Sequence, residues 1–312
     1  MKKTIITYAI GALYLASIVC AVLLLFSKKT TSPEKILQSR IVPVAGDAIA
    51  VINISGPIRM GSRPRAFLSY DSEAILRRLR NTSSRKDVKA IVLRINSPGG
   101  SVAAVQEIYS EVMKIRAEKK KPVVASFGDV AASGGYYIAS ACDKIVANPG
   151  TITGSIGVLL ELGNVQELFK KIGVRMETIK SGKHKDTGSM FRELSVDERK
   201  MFQELVNEAF NQFINDIVRG RGMQREKVEA LADGRIYTGS QAVQNGLVDK
   251  LGNDQTAIET AKELAGISGE PRIIGEYDVW EQFLQIFNPP KSLSPIDELV
   301  SKQKLRFEYM LE

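Results

Sequence analysis

The sequence predicts an α/β domain carried behind one membrane-crossing helix. Three observations predict it: an uncharged apolar run near the start, short apolar strands alternating with helical stretches through the middle, and ordinary globular composition. The 312 residues are 44% hydrophobic and 25% charged, which excludes a disordered, collagen-like or polytopic membrane protein. Net charge is +8, from 43 basic and 35 acidic residues. Residues 1–29 carry Lys2, Lys3, Lys28 and Lys29 with no acid, so half of the excess sits there and the remainder has no basic nucleic-acid footprint. Two cysteines, Cys20 and Cys142, give neither a disulfide framework nor a zinc site. A single histidine, His184, excludes any mechanism that needs two.

Residues 4–27 contain no charge, and 5–26 are mostly apolar. At ~1.5 Å per residue this run spans roughly 33 Å, one bilayer core. A cleaved signal peptide has a shorter apolar core of about 7–15 residues and an A-x-A-like site. The run ends instead in Ser27-Lys28-Lys29, so an uncleaved anchor over 1–29 is expected. Basic residues flank it on both sides, and the positive-inside rule alone does not orient it. Polar residues 30–46 read as a linker, 47–267 as the globular domain, and 268–312, broken by Pro289-Pro290, as a tail.

Within the domain, 48–54 reads as a strand, and Asp71 is placed to cap a helix through about Arg80. Residues 88–95 form a short, nearly continuous apolar strand. Ser101 opens a helix with Val105, Ile108, Val112 and Ile115 at helical spacing. Strand 123–127, a small-residue helix over 131–141 and strand 144–147 follow, and 174–179 is strand-like. Ser195 and Glu198 make a capping box that starts a long helix to about Val218. Shorter helices are expected over 226–232 and 241–245. Trp280 in the tail reads as a packing residue.

Three segments could carry chemistry. Asn96-Ser97-Pro98-Gly99-Gly100-Ser101 follows a buried strand and opens a helix. Its glycines permit a sharp turn with outward amide N–H groups, suited to an oxyanion or simply to a tight connection. Ala131-Ala132-Ser133-Gly134-Gly135 sets a serine among small residues. It departs from G-x-S-x-G at Ala131, and close helix–sheet packing would select the same residues. Ser181-Gly182-Lys183-His184-Lys185-Asp186 is either a solvated basic loop or the source of a general base for Ser133. His184 would give a Ser–His pair and a lysine a Ser–Lys dyad. A lysine base must be desolvated until its pKa falls from about 10.4 to roughly 7–8. No G-x-x-x-x-G-K-[ST] is present.

The order and spacing of these segments over residues 48–265 resemble the signal peptide peptidase A family of serine proteases. Thr153-Gly154-Ser155-Ile156-Gly157-Val158, Asp233-Gly234-Arg235-Ile236-Tyr237-Thr238-Gly239 and Gly246-Leu247-Val248-Asp249 complete the match. The resemblance implies a ClpP/crotonase-like fold with an N-terminal transmembrane helix. It implies Ser133 as nucleophile, Lys185 as general base, Ser155 orienting the lysine, and the amides of Gly100 and Gly134 as the oxyanion hole. It further implies a homo-octamer anchored singly in the cell membrane, with its protease domain outside the cytoplasm, acting on membrane-derived peptides such as cleaved signal peptides. Neither cofactor, metal, nucleotide nor nucleic acid is implied. Two other readings compete: a crotonase-like acyl-CoA enzyme, and a membrane scaffold without catalysis.

Overall fold

The computed structural model describes residues 46–61, 71–119, 121–275 and 306–311. The expected anchor over 1–29, nearly all of the linker and Trp280 lie outside these residues. Among the described residues no helix is long and apolar enough to cross a membrane.

The central sheet begins with β1 (Ala48–Ser55) and continues, after helix α1 (Ser72–Ser84), with β2 (Val88–Ser97). Asp71 caps α1 by accepting the Ala74 N–H at 2.7 Å, as its position predicts. A three-residue strand, β3 (Gly99–Ser101), leads into α2 (Val102–Lys114). Then come β4 (Val123–Ala132), α3 (Gly134–Ser140), β5 (Lys144–Ala147), β6 (Ile152–Gly154) and β7 (Leu159–Glu161). Helices α4 (Gln166–Lys171), α5 (Val196–Arg221) and α6 (Arg225–Leu231) precede β8 (Ile236–Thr238). The remainder is α7 (Gly239–Asn245), β9 (Lys250–Leu251), α8 (Asp254–Leu264), β10 (Arg272–Gly275) and β11 (Arg306–Met310).

Strands run in the order β10-β1-β2-β4-β5-β9, every neighbouring pair parallel. β6 joins β4 in parallel and β8 antiparallel, so the sheet is mixed. The apolar runs in β1, β2 and β4 follow from burial on both faces. Side chains alternate across a strand, so Ile49, Val92 and Val124 meet Ala257 and Ala261 of α8 on one face. Ala50, Ile52, Ile91, Leu93 and Phe127 enter the larger core on the other face, shared with α1, α2, α3 and α5.

Two expectations change, and the tail adds structure that none foresaw. The helix expected over 131–141 starts only at Gly134, because Val130–Ala132 stay extended to pair with β6. Residues 174–179 form no strand; they find no ladder partner and lie exposed, Ile179 at 97%. The tail contributes two strands: β10 edges the main sheet, and β11 sits between β3 and β7, antiparallel to both.

Candidate active site

Ser133 stands at the junction of β4 and α3, where its backbone takes φ 52° and ψ −116°. A non-glycine residue pays of order 1–3 kcal/mol for such a conformation and keeps it only if its surroundings impose it. They do. Ala132 pairs with Gly154, the Ser133 N–H donates to the Gly154 carbonyl at 2.8 Å, and the Ser133 carbonyl accepts the Tyr137 N–H at 2.8 Å as α3 begins. Ser155, the residue after Gly154, has φ 49° and donates its N–H to the Arg235 carbonyl at 2.8 Å. Among the described residues, Ser133 and Ser155 are the two non-glycine residues with positive φ. The sheet therefore brings these two serines side by side, both buried.

The glycine turn closes on the same point. Ser97 Oγ donates to the Gly56 carbonyl at 2.7 Å and accepts the Gly99 N–H at 3.1 Å. Ile58 brackets β3, its N–H reaching the Gly99 carbonyl at 2.8 Å and its carbonyl accepting the Ser101 N–H at 2.9 Å. Those bonds occupy Gly99 and Ser101 and leave the Gly100 N–H for the opposite edge. A methyl group on Gly134 would come within 3.1 Å of the Gly100 nitrogen, so the amides of Gly100 and Gly134 lie at one place. Gly99 has φ 110°, and a side chain there would run into the Tyr309 carbonyl oxygen at 1.9 Å.

β11 covers that edge. Its register sets Tyr309 opposite Gly100 and Met310 opposite Gly99, and the Leu311 N–H donates to the Pro98 carbonyl at 2.8 Å. Bonded pairs recur at every second residue of an antiparallel ladder, so Tyr309 and Gly100 are the next such pair. The Gly100 N–H thus faces the Tyr309 carbonyl. Two open clefts on the surface, of ≈ 760 and ≈ 660 Å³, include none of Ser133, Ser155, Gly100 and Gly134. β11 pairs along Gly99–Ser101, with the Tyr309 carbonyl beside Gly99.

The structure separates the three candidate bases. Lys183 pairs with Asp197 at 2.6 Å, and that contact raises its pKa, the wrong direction for a base. His184 is exposed. Lys185 is exposed too, and among the described residues it makes neither an ion pair nor a side-chain hydrogen bond to Ser133. Its backbone is nevertheless fixed. The next residue, Asp186, accepts from Lys180 Nζ at 2.6 Å and from Arg192 Nε at 3.0 Å. Arg192 also binds the Asp186 carbonyl at 3.0 Å and reaches Glu198 at 2.5 and 2.8 Å. Glu198 closes the expected capping box with Ser195. The Arg192 guanidinium holds both carboxyls well below the usual carboxylate range, with Lys180 adding to the effect on Asp186. Sequence reading found the capping box but not this clamp, because Arg192 carries no local motif.

A strained serine beside closely spaced glycine amides is an arrangement that can serve acyl transfer. The family model of Peptidase family S49 matches residues 115–268, and that of Clp protease matches residues 67–152. A Synechocystis sp. protein named as a protease is 45% identical over 219 residues, covering 70% of this chain and 75% of its own. The chain belongs to Peptidase family S49. It is also 42% identical over 217 residues to an Enterococcus faecium protein named as a signal peptide peptidase, covering 69% of this chain and 63% of that protein. Protease 4 of Haemophilus influenzae is 37% identical over 216 residues, or 69% of this chain and 34% of its own. As an S49 member the chain is a serine protease with a mixed α/β, ClpP-like domain, which sets aside the acyl-CoA and scaffold readings. No metal-binding cluster of His, Cys, Asp and Glu occurs among the described residues.

Proposed function

We propose that Ser133 is the nucleophile of this protease and Lys185 its general base. The observation that carries the reading is the imposed positive φ of Ser133 at a strand–helix junction, next in sequence to Gly134, which itself lies against the Gly100 nitrogen. Ser133 Oγ attacks the peptide carbonyl, and Lys185 takes its proton and passes it to the leaving amine. The two amides stabilise the oxyanion. Ser155, neighbouring Ser133 across the β4–β6 pair, orients the lysine.

Lys185 is exposed among the described residues, and a lysine acts as a base only when desolvated, so this reading calls for a cover over Lys185. The surrounding segment is unusually apolar for an exposed surface: Leu168, Ile172, Met176, Ile179 and Val196 are all more than half exposed. These features support a ring in which each Ser133 works with Lys185 of the adjacent chain, an octamer by family resemblance. The apolar run over 5–26 supports anchoring by one membrane helix, and the family resemblance extends the reading to a protease domain outside the cytoplasm and cleaved signal peptides as substrates.

Co-expression of a Ser133→Ala chain with a Lys185→Ala chain tests the assignment. Each variant alone is expected to be inactive, and mixed rings to regain peptidase activity. Mixed rings that stay inactive place the dyad within one chain.

A further inference from the structure

The strands of a parallel sheet all begin on one side, and here that side is basic. Lys86, Lys89, Lys121, Lys144 and Lys250 stand at or next to the starts of β2, β4, β5 and β9. They line two small clefts, of ≈ 290 and ≈ 250 Å³, which share the exposed Leu264 at the C-terminal end of α8. Two acids, Asp249 and Glu263, join that lining. Asp249 is already matched by Arg221 at 2.8 Å and Lys144 at 3.4 Å. Nearby acids are matched as well: Asp47 by Lys89 at 3.5 Å, Asp87 by Arg85 at 2.7 Å and Arg272 at 2.9 Å, Asp143 by Arg116 at 2.8 Å, and Glu270 by Lys262 at 3.1 Å. The edge therefore keeps a positive excess. The ≈ 760 Å³ cleft beside α1 and α2 does not, since Arg77, Arg80 and Lys114 there meet Glu73, Glu107 and Glu111.

We propose that this edge docks on an anionic lipid surface, with the lysines against the headgroups and Leu264 at the headgroup–acyl boundary. The inference rests on the apolar run over 5–26 being a membrane anchor and does not depend on the roles of Ser133 and Lys185. Asp47, where residues 30–46 join the domain, sits at this same edge against Lys89. An anchored chain is thus tethered by the end that carries the lysines. An apolar side chain among ammonium groups on long stems is the composition of an interfacial surface. A groove for single-stranded nucleic acid would add aromatic side chains for stacking, and none lines either cleft. Docking here also leaves the serine clear of the headgroups. β4 starts at this edge and runs for 10 residues to Ala132, roughly 33 Å at ~3.3 Å per residue, before Ser133 follows.

The test places the purified full chain in lipid discs of phosphatidylcholine alone, or of equal parts phosphatidylcholine and phosphatidylglycerol. The acetylation rate of each lysine is then read by peptide mapping. Lys86, Lys89, Lys144 and Lys250 are expected to react about fivefold or more slowly in the anionic discs, the factor that one basic side chain contributes at a charged leaflet. Lys200, exposed on α5, should react equally in both. The difference should vanish in about 1 M salt, where the screening length falls to about 3 Å. A Lys86→Glu/Lys250→Glu chain should show equal rates at Lys89 and Lys144 in the two lipids while keeping wild-type turnover of a reporter peptide. Co-elution with neutral discs reports the anchor separately, because charge cannot hold the chain there. A chain that co-elutes with neutral discs yet reacts equally at these lysines in both lipids overturns the docking edge and leaves the anchor standing. A chain that separates from neutral discs overturns the anchor and this inference with it. Slowing that survives high salt or the double substitution, or that a DNA duplex produces and anionic discs do not, also overturns it.

Discussion

Gly100→Ala probes the oxyanion hole through a clash that the structure specifies. The added methyl carbon would stand 1.9 Å from the Ile58 carbonyl oxygen and 2.6 Å from both the carbonyl carbon and the nitrogen of Ile58. All three are backbone atoms and cannot rotate away. Side-chain carbons essentially never approach closer than 3.0 Å, so β3 and Ile58 must separate by at least 1.1 Å, the difference between 3.0 and 1.9 Å. An oxyanion donor works at about 2.7–3.1 Å, and a displacement of that size takes the Gly100 N–H out of range. Loss of one such donor lowers kcat by about 10²–10³. We expect that loss with KM little changed, because the donor acts on charge that develops in the transition state. Steady-state kinetics on a reporter peptide, with melting temperature and near-ultraviolet circular dichroism as folding controls, make the measurement. A folded Gly100→Ala enzyme with kcat within about threefold of wild type would falsify the assignment of this amide, since even the weakest donor loss exceeds that.

Lys185→Met is expected to abolish turnover and His184→Ala to leave it, measured on the same reporter; the reverse pattern would indicate a Ser–His pair. Arg192→Ala should lower kcat by about 10²-fold, the effect of misplacing a catalytic group by about 1 Å. Arg192→Lys should not rescue it, because an ammonium cannot bridge Asp186 and Glu198 as the guanidinium fork does. A merely structural role for Arg192 would lower the melting temperature without changing kcat or the pH–rate profile of the folded enzyme. Because Arg192 depresses the Asp186 and Glu198 pKa values, the clamp is complete above the ordinary carboxylate pKa near 4 and is lost as pH falls through the lowered values. Hydrogen exchange across 180–194 should therefore rise on acidification below about pH 4 in wild type, and Arg192→Ala should already show the faster exchange at neutral pH.

What the sequence made legible follows from what is local. The apolar runs of β1, β2 and β4 are readable because both faces of those strands are buried, and the Ser195–Glu198 box because its two bonds join residues three apart. The strained backbone of Ser133 was not readable. It depends on pairing with β6, twenty residues further along, and small residues around a serine suit a packed helix equally well. Residues 174–179 look like a strand because Val174 and Met176 alternate with Arg175 and Glu177, yet β structure needs a partner edge, and their exposed side chains instead mark a surface. The tail did carry a signal: Leu305, Phe307 and Tyr309 alternate with Arg306 and Glu308, the period of a half-buried strand. Its partners lie some 200 residues earlier in the chain at β3, a distance at which alternation alone names no site. Family resemblance, not composition, selected Lys185 among its neighbours. The Lys183–Asp197 pair removes one competitor on physical grounds.

Covalent labelling addresses the nucleophile most directly. A fluorophosphonate reacts with an activated serine and leaves a stable adduct that peptide mapping can place. The full-length protein is expected to carry a single adduct, on Ser133, and Ser133→Ala to carry none while keeping the wild-type circular dichroism spectrum, since the substitution removes one oxygen atom. An adduct on any other serine, or undiminished labelling of Ser133→Ala, would contradict the account.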